Sequence, residues 1–123
     1  MKYFRIVFAS FLGILFLSSC EPATETRYFE GPNERMRIIV EASRKVTLDP
    51  WMCSIQLEFD SINWSVLKTE VMADQIDSTN TNVRWINDST AVLSFEQRDG
   101  SQKSYKLSAG NGMYHFQPIS NGL

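Results

Sequence analysis

The chain has 123 residues, a formal net charge of −2, two cysteines and one histidine, which is enough for one modest domain and not two. Residues 1–19 carry only Lys2 and Arg5 as charged side chains, so the chain from Cys20 onward keeps 10 basic and 14 acidic side chains, a net charge of −4. That balance speaks against a nucleic-acid binder, whose affinity comes largely from Lys and Arg neutralising phosphates. Sparse glycine, the lack of heptads and only two cysteines exclude collagen-like, coiled-coil and disulfide-scaffold chains.

The N-terminus opens Met1-Lys2-Tyr3-Phe4-Arg5, continues through an apolar stretch from Ile6 to Leu17 and ends in Ser18-Ser19. A positive start, a short apolar core and small residues make a secretory signal peptide. The apolar stretch is too short to span a bilayer, which takes roughly 20 helical residues. Leu17-Ser18-Ser19-Cys20 resembles the lipobox of bacterial lipoproteins. The resemblance implies that the Cys20 thiol receives a diacylglycerol, that cleavage before it makes Cys20 the mature N-terminus, and that the new amino group is acylated as well. Two or three acyl chains give stable anchoring where one binds only marginally. Glu21 follows the cysteine, where the resemblance associates Asp with retention at the inner membrane, so the outer membrane is favoured. Glu21 to Arg27 is polar with no hydrophobic period, and residues 20–34 are expected to form a flexible tether spanning about 20 Å as a loose coil.

Residues 35–123 are expected to form a single all-β domain. Met36-Arg37-Ile38-Ile39-Val40-Glu41 places Met36, Ile38 and Val40 on one face, in a β-branched run that disfavours helix. Lys45 to Leu48 either extends this strand or forms a short separate one before Asp49-Pro50. Trp51, Cys53, Ile55, Leu57 and Phe59 then alternate with mostly polar residues, the pattern of a strand with one buried face. Trp64 to Ala73 mixes period-2 and helical spacing and is read as a strand with a bulge. Asp74 to Asn82 is a polar loop, and Val83-Arg84-Trp85-Ile86 starts a strand that turns at Asn87-Asp88-Ser89-Thr90 into Ala91 to Gln97.

The next hairpin turns at Arg98-Asp99-Gly100. A two-residue turn would set the large apolar residues of its strands on opposite faces, whereas a three-residue loop with Gly100 left-handed pairs Leu93 with Tyr105 and Ala91 with Leu107 on one face. The three-residue loop is therefore expected. Met113 to Phe116 makes a last short strand before Pro118. The sum is a small antiparallel meander of six or seven strands, forming a sandwich or a partly open barrel. Val83-x-Trp85-Ile86-Asn87-Asp88-x-Thr90 is similar to a hairpin of small uncharacterised extracytoplasmic β domains of bacteria, which implies the β fold and adds no activity.

No catalytic set is expected. His115 stands alone between Tyr114 and Phe116, and one histidine with one remaining thiol cannot supply a usual zinc site. Cys53 falls on an apolar strand face, where a cysteine behaves as a small hydrophobe. The glycines match no phosphate-binding loop, so neither metal nor cofactor is expected. Asp60-Ser61-Ile62, Asp77-Ser78-Thr79 and Asp88-Ser89-Thr90 resemble the Asp-(Ser/Thr)-apolar-or-Thr signal for O-glycosylation of exported proteins in Bacteroidetes, which marks Ser61, Ser78 and Ser89. Asp-Ser is also ordinary turn chemistry. The expected function is that of a non-enzymatic, lipid-anchored lipoprotein of the cell envelope, with a binding or structural role toward an envelope protein or glycan. The rival is a small hydrolase or sugar-processing enzyme, using a facing pair among Asp60, Glu70, Asp74, Asp77 and Glu96 with a raised pKa.

Overall fold

A computed structural model describes residues 22–119; the segment expected to be an export signal, and Cys20, lie outside the described residues. The chain forms strands β1 (Ala23–Glu30), β2 (Met36–Arg44), β3 (Trp51–Phe59), β4 (Ile62–Val71), β5 (Thr81–Asn87), β6 (Thr90–Glu96), β7 (Gln102–Gly110) and β8 (Met113–Ile119). They make two antiparallel four-stranded sheets, β1-β2-β3-β4 and β5-β6-β7-β8, packed as a small β-sandwich. All-β architecture built from meanders is what the alternating pattern predicts.

The additional strand is β1, in the segment expected to be tether. It pairs with β2 from Ala23↔Arg44 to Glu30↔Arg37. Its inward row is Ala23, Glu25, Arg27 and Phe29, of which Ala23 and Phe29 pack against the core. Two charged residues in a row of four hide the period. The charge at Arg27 is accommodated because its Nε donates to the Ile76 carbonyl at 3.0 Å. Thr24, Thr26 and Tyr28 suit the outer face of an edge strand.

The core lies between the sheets. Trp51, Cys53, Ile55, Leu57 and Phe59 of β3 are buried as one row, with Met36, Ile38, Val40 and Ala42 of β2 beside them. From the second sheet come Ala91, Leu93, Phe95, Leu107 and Ala109. In β4 the register slips so that Val66 has no partner, with Ile55 opposite Leu67 and Gln56 opposite Ser65. This bulge explains the mixed spacing of Trp64 to Ala73. Trp64 and Val66 face the core before it, Leu67, Thr69 and Val71 after it, and the change of face imitates a helical period. Tyr105 on β7 meets Thr69 across the sandwich, hydroxyl to hydroxyl at 2.7 Å.

The Gly100 hairpin adopts the expected register, with Leu93↔Tyr105 and Ala91↔Leu107. Gly100 has φ 85°, and Gln97 N–H donates to Ser101 O across the loop at 2.8 Å. Two expectations are corrected. Lys45 to Leu48 forms no strand but the connection between β2 and β3. The last strand also runs on through Pro118, opposite Tyr105, which an edge strand such as β8 tolerates because its alternate N–H groups face away from the sheet.

Candidate functional site

The strand order gives the sandwich two unlike ends. At the proximal end β1 begins, and the connections 45–50, 72–80 and 97–101 close the ladders. At the distal end lie the loop 31–35 and the turns 60–61, 88–89 and 111–112.

Three arginines knit the proximal end. The Arg44 guanidinium lies 4.4 Å above the Trp51 ring, and its Nη1 donates to Thr47 O at 3.0 Å and to Ala73 O at 3.5 Å. Arg98 Nε donates to Asp74 Oδ1 at 2.8 Å, its Nη2 to Ala73 O at 3.3 Å, and its backbone N–H to Met72 O at 2.8 Å. Arg27 holds the carbonyl of Ile76 from the β1 side. Segment 72–80 is thereby held across the end of the core, with Ala73 and Ile76 buried beneath it. Its outer side leaves an open groove of about 280 Å³, lined by residues that include Asp74, Gln75, Asn80, Glu96 and Arg98.

The three Asp-Ser sites all fall in turns, and each aspartate has a structural partner. Asp60 and Ser61 form the β3–β4 turn with φ 49° and 70°, and Arg35 grips the Asp60 carboxylate through Nε at 3.1 Å and Nη2 at 2.8 Å. That charged hydrogen bond holds the Asp60 pKa below the ordinary aspartate value. Asp77 Oδ1 accepts from the Thr79 hydroxyl and the Thr79 N–H, which lowers its pKa as well. Asp88 Oδ2 accepts from Asn33 Nδ2 at 2.7 Å, tying two distal turns together. Ser61 and Ser78 are exposed and Ser89 is half-buried. Ser61 and Ser89 stand at the distal end, Ser78 at the proximal one.

The five carboxylates considered for acid–base work are divided. Asp60 is distal, Glu70 is exposed near the proximal end of β4 and outside the groove lining, while Asp74 and Glu96 line the proximal groove with Asp77 beside it. The shifts of Asp60 and Asp77 run downward, opposite to what a general acid requires. Cys53 is fully buried, and burial pushes its thiol up to about 12 against a smaller opposing effect of Lys103, so the reactive thiolate is suppressed. His115 is exposed on β8 opposite Ser108. Among the described residues no three His, Cys, Asp or Glu side chains gather into a metal-holding group.

Sequence reading missed the roles of Arg27, Arg44 and Arg98. Their acceptors are backbone carbonyls 49, 29 and 25 residues away, and no residue type signals a carbonyl acceptor. In comparisons with known proteins, the chain matches no family model, no curated protein and no solved structure.

Proposed function

We propose that this protein is a lipid-anchored lipoprotein of the bacterial cell envelope, non-enzymatic, acting by binding or bracing another envelope component. The observation that carries the reading is Leu17-Ser18-Ser19-Cys20, directly after an export signal and three residues before β1 begins at Ala23. With β1 paired from Ala23, the domain is held close to its anchor, and Glu21 favours the outer membrane. A binding role is supported by apolar side chains exposed at the distal end, notably Ile62 and Met113, which open the edge strands β4 and β8. Those strands meet where Trp64 and Tyr114 pack at 5.7 Å between ring centroids.

The test is acylation at Cys20 and its consequence. The native protein should carry two or three acyl chains in its intact mass and partition with membranes, and Cys20→Ser should abolish both. A wild-type mass with no acyl addition overturns the reading. Added hexose mass would assign glycans to Ser61, Ser78 or Ser89; a mass of protein plus acyl chains alone removes that part. Crosslinking followed by pull-down from detergent-solubilised membranes should return an envelope partner, and none above background would leave the binding role without support.

A further inference from the structure

Leu48 is the most exposed large apolar side chain among the described residues, at 79%. It shares the β2–β3 connection with Val46, 52% exposed, and Met72 at 41% opens the neighbouring β4–β5 connection. Arg44 holds these two connections side by side through Thr47 O and Ala73 O. Lys45 stands beside Val46 with its side chain exposed or half-exposed to solvent, as do all residues from 43 to 50. Nothing in the packing of the domain requires aliphatic residues at this tip, where water-facing loops favour polar ones.

The position of the tip supplies the reason. Ala23, the first residue of β1, pairs with Arg44, the last residue of β2, so the chain enters the domain one strand spacing, about 4.8 Å, from the residue that leads into this loop. Three peptide steps separate Ala23 from Cys20, and a fully extended chain covers at most about 3.6 Å per residue, or about 11 Å in all. An acyl chain on Cys20 therefore brings the proximal end to the headgroup surface and leaves little room for another protein between them.

We infer that the proximal end docks on the membrane itself, with Val46 and Leu48 inserted at the boundary between headgroups and acyl chains and Lys45 at the level of the phosphates. This rests on Cys20 being the lipid anchor. The acyl chains supply the partitioning, and the loop fixes the orientation: the proximal groove and Ser78 lie near the bilayer, while Ser61, Ser89 and the exposed distal apolar residues point into the aqueous space.

The test uses the full, lipidated chain in vesicles of phosphatidylethanolamine with a minority of phosphatidylglycerol. Leu48→Cys and Val46→Cys each carry an environment-sensitive fluorophore, and Asn63→Cys, exposed at the distal end, carries the same dye as the reference. Cys53 is fully buried and an acylated Cys20 has no free thiol, so the introduced cysteine is the one labelled. Nitroxide lipids spin-labelled near the headgroup should quench the dyes at 46 and 48 about threefold or more over the dye at 63, as expected for side chains about 5–10 Å into the interface. If the acylated protein sits in the vesicles and all three dyes are quenched equally, the docking is overturned and the anchor stands. If the mass of the Cys20 peptide shows no acyl chain, the anchor fails and the docking with it.

Discussion

The two ends of the sandwich close their strand ladders by different means. The distal end uses two-residue turns, Asp60-Ser61, Asp88-Ser89 and Asn111-Gly112, together with the loop 31–35. Asn111 and Gly112 both have positive φ, 54° and 74°, as do Asp60 and Ser61, and the backbone of each such turn is set by the residues in it. The proximal end uses connections of six, nine and five residues at 45–50, 72–80 and 97–101. Local turn chemistry shapes part of them, but the placement of 72–80 depends on Arg27 of β1, Arg44 of β2 and Arg98 of the 97–101 connection, all distant from it in sequence. The distal turns are thus set mostly by their own residues, with Arg35–Asp60 and Asn33–Asp88 as added ties, whereas the proximal connections lean more on tertiary contacts, so variants should divide between the ends unequally.

The sharpest expected difference is at Ile76. It belongs to a connection, yet its side chain is fully buried, so it closes the core as a strand residue would. Ile76→Ala should lower the unfolding free energy by about 2–5 kcal/mol, the cost of a buried aliphatic truncation with its cavity. Urea unfolding followed by tryptophan fluorescence measures this, and a change like that of an exposed loop residue would break the contrast between the ends.

Arg44→Ala should come next. It removes the stacking on Trp51 and both carbonyl bonds, a loss of about 1–2 kcal/mol. The matching distal change, Arg35→Ala, removes a stack over Phe59 at 4.8 Å and an ion pair whose side chains are both about half exposed; with no carbonyl bonds to lose and the ion pair screened by solvent, it should lower the urea midpoint less than Arg44→Ala does. Equal effects would mean that the carbonyl bonds of Arg44 matter no more than a surface ion pair.

This division also marks what was legible in the amino-acid sequence. The alternating row from Trp51 to Phe59, the bulge in β4 and the register of the Gly100 hairpin follow from side-chain period and turn residues, which act over a few positions. The β1 strand did not announce itself, because Glu25 and Arg27 occupy its inward row and the fit of Arg27 depends on the distant Ile76 carbonyl. The aspartates were recognised as turn formers and possible modification signals, but the Arg35 grip on Asp60 joins residues from two turns. The proximal groove was illegible for the same reason: its walls come from residues 73–80 and 96–98, brought together only by the fold.

Acid should act on both ends, and more weakly than either substitution in the proximal core. Asp60 at the distal end and Asp77 and Asp99 at the proximal end all have pKa values below the ordinary aspartate value, Asp60 through Arg35, Asp77 through Thr79 and Asp99 through Ser101. A carboxylate with a depressed folded pKa binds its proton more readily when unfolded. Its contribution is therefore fully present above the unfolded value, about 3.9, and is lost as pH falls through the lower folded values. The urea midpoint should be flat with respect to these groups from about pH 6 to 5 and decline below about pH 4. Asp99→Asn, which keeps an acceptor for the Ser101 N–H and hydroxyl, should flatten the decline slightly; an unchanged slope would remove Asp99 as a contributor.

The smallest effect on folding is expected where the membrane effect is largest. Leu48 is mostly exposed, so Leu48→Ser should move the unfolding free energy by no more than about 0.5 kcal/mol. On the proposed docking, the same substitution in the acylated chain removes the most exposed aliphatic group of the loop proposed to face the bilayer. A Leu48→Ser chain with a dye at Val46→Cys should then stay on vesicles through its acyl chains and lose most of its quenching by headgroup-labelled lipids. A large loss of folding stability would instead place Leu48 among the structural contacts of the proximal end, and retained quenching would show that the loop's position does not depend on its most exposed aliphatic residue.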